Sequence, residues 1–124
     1  MKTKILLVDD DPLVLKTLQN LLMREGFELQ SAKSAQEAKG RLEQTTPNLI
    51  ICDIRMPQQD GISFIKNLRE GSFGRPNSDI PVIFITGYAS EDAPVDAVKL
   101  GSKDYILKPF DMDELLKSIR NAIA

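Results

Sequence analysis

The 124-residue chain contains no histidine, no tryptophan and only one cysteine, Cys52. Without histidine, the chain cannot use imidazole as a base, a metal ligand or a phosphoryl carrier. A lone cysteine excludes an internal disulfide, and its place within an apolar run predicts a buried side chain in a reducing compartment. The chemistry of the protein must therefore rest on carboxylates, lysine and hydroxyl groups.

An excess of charge and a long apolar run are also missing. With 16 basic and 18 acidic residues, the net charge of -2 gives no bulk electrostatic reason for direct binding to nucleic acid or to an anionic membrane. The first apolar run, residues 5–8, is too short for a signal peptide or a membrane span. We therefore expect a soluble cytoplasmic protein whose residues 1–124 form one domain. The domain is large enough to fold without a disulfide or a structural metal.

Short apolar runs alternate with segments of helical periodicity along the whole chain. The predicted strands are residues 5–8, 27–30, 48–53, 80–85 and 104–107. Residues that favour helix starts precede four of the five helical segments: Asp11, Ser34, Ser90 and Asp111. Because parallel strands need crossovers, and right-handed crossovers cover both faces, the pattern predicts an α/β fold. The natural layout is a flavodoxin-like, doubly wound (βα)5 fold with a five-stranded parallel sheet in the order 2-1-3-4-5.

Polar side chains stand where four of these strands end. They are Asp9 and Asp10 after the first strand, Asp53 after the third, Thr86 after the fourth and Lys108 after the fifth. A carboxylate inside the core would be costly, so we expect Asp53 to be exposed at the exit of its strand. Sheets of this class bind ligands beyond the carboxyl ends of their strands, which predicts that these side chains share one crevice.

Three neighbouring carboxylates repel one another, so they either take up protons or hold a cation. Oxygen ligands without histidine or thiolate favour a hard cation, and space for water and phosphate favours Mg²⁺ over Ca²⁺. Lys108 offers a point charge to a phosphate oxygen, and Thr86 offers a donor. Between Mg²⁺ and lysine, Asp53 could act as a nucleophile on a phosphoryl group.

Four motifs resemble the receiver domain of bacterial two-component response regulators over essentially the whole chain. They are residues 5–11 (ILLVDDD), residues 53–57 (DIRMP) with Asp60-Gly61, residues 85–87 (ITG) and residues 105–110 (YILKPF). The resemblance implies that Asp53 accepts a phosphoryl group from the phosphohistidine of a sensor histidine kinase or a phosphotransfer protein. The Mg²⁺ ligands that it implies are Asp9, mainly through water, Asp10, Asp53 and the backbone carbonyl of Arg55.

The resemblance also implies a switch. Lys108 and Thr86 would contact the acyl phosphate, and the Lys108-Pro109 peptide bond would be cis. When Thr86 turns toward the phosphate, Tyr105 can enter the space it leaves, which alters the surface of the fourth helix, fifth strand and fifth helix. The partner of that surface would be a downstream protein, a tethered output domain or a second copy of the phosphorylated chain.

Arg55, Gly87 and Tyr88 should line the rim of the pocket, where the bulk of Tyr88 is expected to slow hydrolysis of the acyl phosphate. An alternative reading is a Mg²⁺-dependent aspartyl phosphatase that acts on small phosphate esters. The phosphatase families place a second aspartate two residues after the nucleophile, whereas this chain has Arg55 there. A third reading, a module that only docks partners, requires an incomplete site. We therefore favour a signalling switch that catalyses only its own phosphorylation and dephosphorylation.

Overall fold

The computed structural model describes residues 2–56, 58–87 and 93–124. Its strands are β1 (Lys4–Val8), β2 (Glu28–Ala32), β3 (Leu49–Asp53), β4 (Val82–Thr86) and β5 (Asp104–Leu107). They form one parallel sheet in the order β2-β1-β3-β4-β5, which confirms the predicted fold and topology. The fourth strand begins two residues later than predicted, at Val82, because Pro81 has no backbone donor for the ladder.

The helices are α1 (Pro12–Arg24), α2 (Ala35–Gln44), α3 (Gly61–Arg69), α4 (Ala93–Lys99) and α5 (Met112–Ile123). The predicted caps of α1, α2 and α5 are confirmed, since each accepts a hydrogen bond from a backbone amide in the first turn: Asp11, Ser34 and Asp111. Ser90, the predicted cap of α4, lies outside the described residues. Among the described helices, none is long and apolar enough to cross a membrane.

Two apolar layers hold the helices to the sheet. Leu6, Ile50 and Phe84 face the layer that contains Phe64 of α3, and alternate residues of the same strands face α1 and α5. Cys52 is completely buried in the first layer, as its apolar surroundings predict. Burial raises the pKa of this thiol well above its ordinary value, so it packs as a small hydrophobe.

The loop between α3 and β4, which is long for this fold, is tied down by side chains. It contains a short 3-10 helix, Arg75–Asn77. The side-chain amide of the buried Asn77 donates hydrogen bonds to the carbonyl oxygens of Leu42 and Phe73. Arg69 donates to the carbonyl oxygens of Ser78, Ile80 and Leu100, which joins the loop to the end of α4. The segment is therefore an ordered connection at the amino end of the sheet.

Candidate functional site

The strand register brings the polar side chains together at the carboxyl edge of the sheet. Val8 of β1 pairs with Cys52 of β3, so the residues that follow them, Asp9 and Asp53, stand side by side. Asp10 lies next along the chain, and one carboxylate oxygen from each of the three aspartates lies within 4.8 Å of the others. Asp9 and Asp53 are buried, whereas Asp10 is exposed and forms the open side of the cluster.

The prediction that Asp53 is exposed is wrong. Asp53 is the last residue of β3 and only 5% exposed, since β1 and β4 flank it in the sheet. The sequence argument placed Lys108 in the same crevice but assumed that burial would be too costly for a carboxylate, because it did not weigh the lysine charge against that cost. A buried charge is tolerated when a partner compensates it, and the partner here comes from the end of β5.

Lys108 is that partner. Its Nζ donates to Oδ2 of Asp9 at 2.7 Å and lies 3.4 Å from Oδ2 of Asp53. Burial lowers the pKa of Lys108, but the hydrogen bond with Asp9 and the charges of both aspartates outweigh that effect and leave the pKa raised. The lysine is therefore a permanent cation that lies closer to Asp9 than to Asp53.

Two features of the backbone fix the position of the Lys108 Cα atom. The Lys108-Pro109 peptide bond is cis, as the family resemblance implies. The Lys108 amide donates to the carbonyl oxygen of Thr86 at 2.7 Å, which extends the pairing of β5 with β4 by one step. The backbone of Lys108 is thus anchored to β4, the strand that neighbours β3.

Asp53 carries the unusual electrostatics of the site. Burial raises its pKa from 3.8 to about 6, helped by the negative charge of Asp9, while Lys108 and the backbone amide of Arg55 offset only part of the shift. Within the described part of the chain, Oδ1 of Asp53 is buried without a hydrogen-bond partner. An acceptor left unpartnered beside two other carboxylates suits a bound cation, and an all-oxygen donor set suits a hard one.

Asp9 also organises the turn after β1. Its Oδ1 accepts the backbone amide of Asp11 at 2.9 Å, while its Oδ2 accepts from Lys108. The side chain of Asp11 in turn accepts the amide of Leu13 and begins α1. Asp9 is therefore held at both oxygens, whereas Oδ1 of Asp53 accepts no hydrogen bond from the described residues.

The remaining predicted site residues lie around this cluster. Thr86 is fully buried as the last residue of β4, and Tyr105 of β5 is half-buried against the apolar layer that contains Phe84. Because Ile85 pairs with Asp53, Thr86 stands one step beyond the level of that carboxylate. Arg55 and Gly87 are exposed, and their place at the rim of the pocket stays a prediction. Tyr88 lies outside the described residues.

Fold, site and sequence comparison agree on the class of protein. Residues 5–120 match the family model of the response regulator receiver domain, and the chain belongs to this family. It is therefore a signalling domain of the two-component type, which confirms the resemblance noted in the sequence.

Individual relatives support the same assignment. The chain is 35% identical over 120 residues to the regulatory protein AtoC of Escherichia coli (strain K12), covering 97% of this chain and 25% of AtoC. It is 38% identical over 120 residues to the transcriptional regulatory protein ZraR of Klebsiella oxytoca, covering 97% and 26%. The structure of a CheY-like receiver domain protein from Methanospirillum hungatei JF-1 superposes with a TM-score of 0.87 at 31% identity, covering 99% and 94%. The chain thus spans about a quarter of the length of the curated relatives that it matches.

Proposed function

We propose that this chain is a phosphorylation-driven switch in which Asp53 accepts a phosphoryl group from a histidine kinase or a phosphotransfer protein. The observation that carries this proposal is the arrangement around Asp53. One of its oxygens has no partner among the described residues, and the other lies 3.4 Å from the ammonium group of Lys108. A carboxylate so placed can attack phosphorus while a neighbouring cation offsets the charge that arrives with the phosphoryl oxygens.

The transfer is a single displacement. An oxygen of ionised Asp53 forms a bond to phosphorus, the bond from phosphorus to the donor's imidazole nitrogen breaks, and the released imidazole takes its proton from solvent. Lys108 moves from Asp9 toward the phosphoryl oxygens, and Thr86 donates its hydroxyl hydrogen to one of them. With a pKa of about 6, Asp53 is mostly ionised at neutral pH even without a metal.

Asp9, Asp10, Asp53 and the backbone carbonyl of Arg55 would hold Mg²⁺. When bound, the ion supplies positive charge to the phosphoryl oxygens and favours the ionised form of Asp53. The residues fit this role because three carboxylate oxygens already lie within 4.8 Å of one another, with no competing nitrogen or sulfur ligand among the described residues.

The proposed output is supported by the register of β4 and β5, in which Phe84 pairs with Tyr105 and Thr86 with Leu107, so Thr86 and Tyr105 lie on the same face of the sheet. Reorientation of the threonine hydroxyl toward the phosphate would open space for the tyrosine ring and alter the face formed by α4, β5 and α5. That face carries exposed apolar side chains at Val98 and Leu107, which suits contact with another protein. The expected partner is a downstream protein, a tethered output domain or a second phosphorylated copy. A tethered domain is supported by the curated relatives, which are about four times as long as the matched region.

The alternative, a phosphatase of small phosphate esters, is not favoured by membership of the receiver family. The position two residues after Asp53 carries Arg55, which cannot serve as the second carboxylate of such an enzyme. Arg55, Gly87 and Tyr88 remain predicted as rim residues, and the bulk of Tyr88 is expected to slow hydrolysis of the acyl phosphate.

The test is incubation with Mg²⁺ and phosphoramidate, followed by intact-mass spectrometry. We expect one phosphoryl group per chain, no labelling in EDTA and none in Asp53→Asn. Asp113→Asn removes an exposed carboxylate from α5 and should label like the wild-type chain. Labelling that persists in Asp53→Asn, or rapid turnover of the donor without accumulation of label, would contradict the proposal.

A further inference from the structure

The backbone carbonyl of Asp53 is enclosed by the first residue of α3. Gly61 begins this helix and its amide donates to the carbonyl oxygen of Ile54 at 2.7 Å. A Cβ atom at position 61 would overlap the carbonyl oxygen of Asp53 and would lie 3.0 Å from Sγ of Cys52. The bare Cα of Gly61 therefore sits directly against the peptide group that follows Asp53.

Position 61 requires glycine because there is no room for a Cβ atom, and not because of its backbone conformation. The glycines with positive φ are Gly26, Gly71, Gly74 and Gly101, and Gly61 is not one of them. An alanine could adopt the same backbone conformation, so the turn itself does not demand glycine. What excludes a side chain is the overlap with backbone atoms of Asp53, which cannot rotate away as the end of a flexible side chain could.

Other contacts hold the same peptide group from different directions. The Cys52 thiol donates to the Asp53 carbonyl oxygen at 3.3 Å, and the Ile54 amide donates to the carbonyl oxygen of Ile85 in β4 at 3.2 Å. The side chain of Asp60 accepts the Ser63 amide at 2.7 Å and fixes the start of α3. Any displacement of the helix start is therefore transmitted to Asp53.

We propose that Gly61 is a positioning residue for phosphoryl transfer. Because it lets the start of α3 pack directly against the peptide group that follows Asp53, it sets the direction in which the Asp53 carboxylate points toward Asp9 and Lys108. Gly61 acts through the backbone of Asp53 and touches neither the donor nor the cation. This inference rests on the proposed phosphorylation of Asp53. A displacement of about 1 Å at a reacting group can slow a reaction about a hundredfold, so a local shift suffices for a large effect.

The test compares labelling rates of Gly61→Ala and the wild-type chain with phosphoramidate at saturating Mg²⁺. We expect labelling of Gly61→Ala to be slower by about tenfold or more. Calorimetric titration should also show weaker Mg²⁺ binding, because the same displacement moves a ligand. Gly40→Ala is the matched control, since a Cβ there meets nothing within 4 Å. Ile65→Val removes a methyl group from the buried face of α3 and leaves Gly61 in place, and both controls should label at the wild-type rate.

The outcomes separate the two proposals. If the wild-type chain takes up no label, the proposed function fails. If the wild-type chain is labelled and Gly61→Ala is labelled equally fast, the role of Gly61 is overturned. If Gly61→Ala shows no cooperative unfolding, Cys52→Ala decides, because it removes the thiol contact to the same carbonyl oxygen. Labelling slowed about threefold supports the positioning role, and an unchanged rate overturns it.

Discussion

Replacing Asp53 by asparagine should make the metal-free protein more stable at neutral pH. Burial and the charge of Asp9 raise the pKa of Asp53 from 3.8 to about 6, so the folded protein favours the protonated carboxyl. A difference of about two pH units corresponds to about 3 kcal/mol of unfolding free energy. Because exposed Asp10 leaves the cluster open to water, screening should reduce the measured value to about 1–2 kcal/mol.

The sign of the effect follows from the direction of the pKa shift. The stability that protonated Asp53 contributes is fully present below the unfolded pKa of 3.8 and is lost as the pH rises through about 6. Asparagine resembles the protonated carboxyl at every pH. The advantage of Asp53→Asn should therefore be full above about pH 7, shrink between about pH 6 and 4 and vanish below that range.

Urea denaturation in EDTA, followed by far-ultraviolet circular dichroism, measures the effect, since the chain has no tryptophan. Asp113→Asn is the control, and because it removes a negative charge from the first turn of α5 it should lower the unfolding free energy by about 1 kcal/mol or less, opposite in sign to Asp53→Asn. Added Mg²⁺ should stabilise the wild-type chain more than Asp53→Asn, because the variant lacks one ligand. An Asp53→Asn variant no more stable than wild type in EDTA, or a gain independent of pH, would refute the electrostatic account.

Two further variants test other contacts. Lys108→Met leaves the buried carboxylates of Asp9 and Asp53 without their cation, so the unfolding free energy in EDTA should fall by about 3 kcal/mol. Added Mg²⁺ should largely restore the lost stability. An unchanged denaturation midpoint in EDTA would contradict this prediction. Asn77→Ala leaves the carbonyl oxygen of Leu42 without its donor, so the unfolding free energy should fall by about 1–3 kcal/mol in the same assay. The labelling rate of Asp53 in Asn77→Ala should stay at the wild-type value, because the hydrogen bonds of Asn77 end at the loop and α2; slower labelling would show that the loop acts on the site.

The fold and the membership of the acidic cluster could be predicted because both depend on local patterns. Each strand is a short apolar run, and parallel pairing brings every strand exit to the same edge. Asp9, Asp53 and Lys108 could thus be placed together without knowledge of any contact between them.

The burial of Asp53 could not be predicted in the same way. It depends on how closely the ammonium group of Lys108, which follows β5, approaches Asp9 and Asp53, and Asp9 lies 99 residues away in sequence. The order in the loop before β4 likewise depends on a hydrogen bond between Asn77 and Leu42, 35 residues apart. The packing of Gly61 could not be predicted either, because only the folded chain shows that its Cα lies against the Asp53 carbonyl. Contacts of this kind carry no periodic signal in the sequence.

The central claim is that Asp53 itself forms the acyl phosphate. The most direct test is to label the chain with phosphoramidate and Mg²⁺, reduce it with borohydride, which converts an aspartyl phosphate to homoserine, and sequence the peptides by mass spectrometry. The account predicts homoserine at position 53 in labelled chains and none in chains treated in EDTA. Homoserine at Asp9 or Asp10, or its absence from position 53 in labelled protein, would contradict the account.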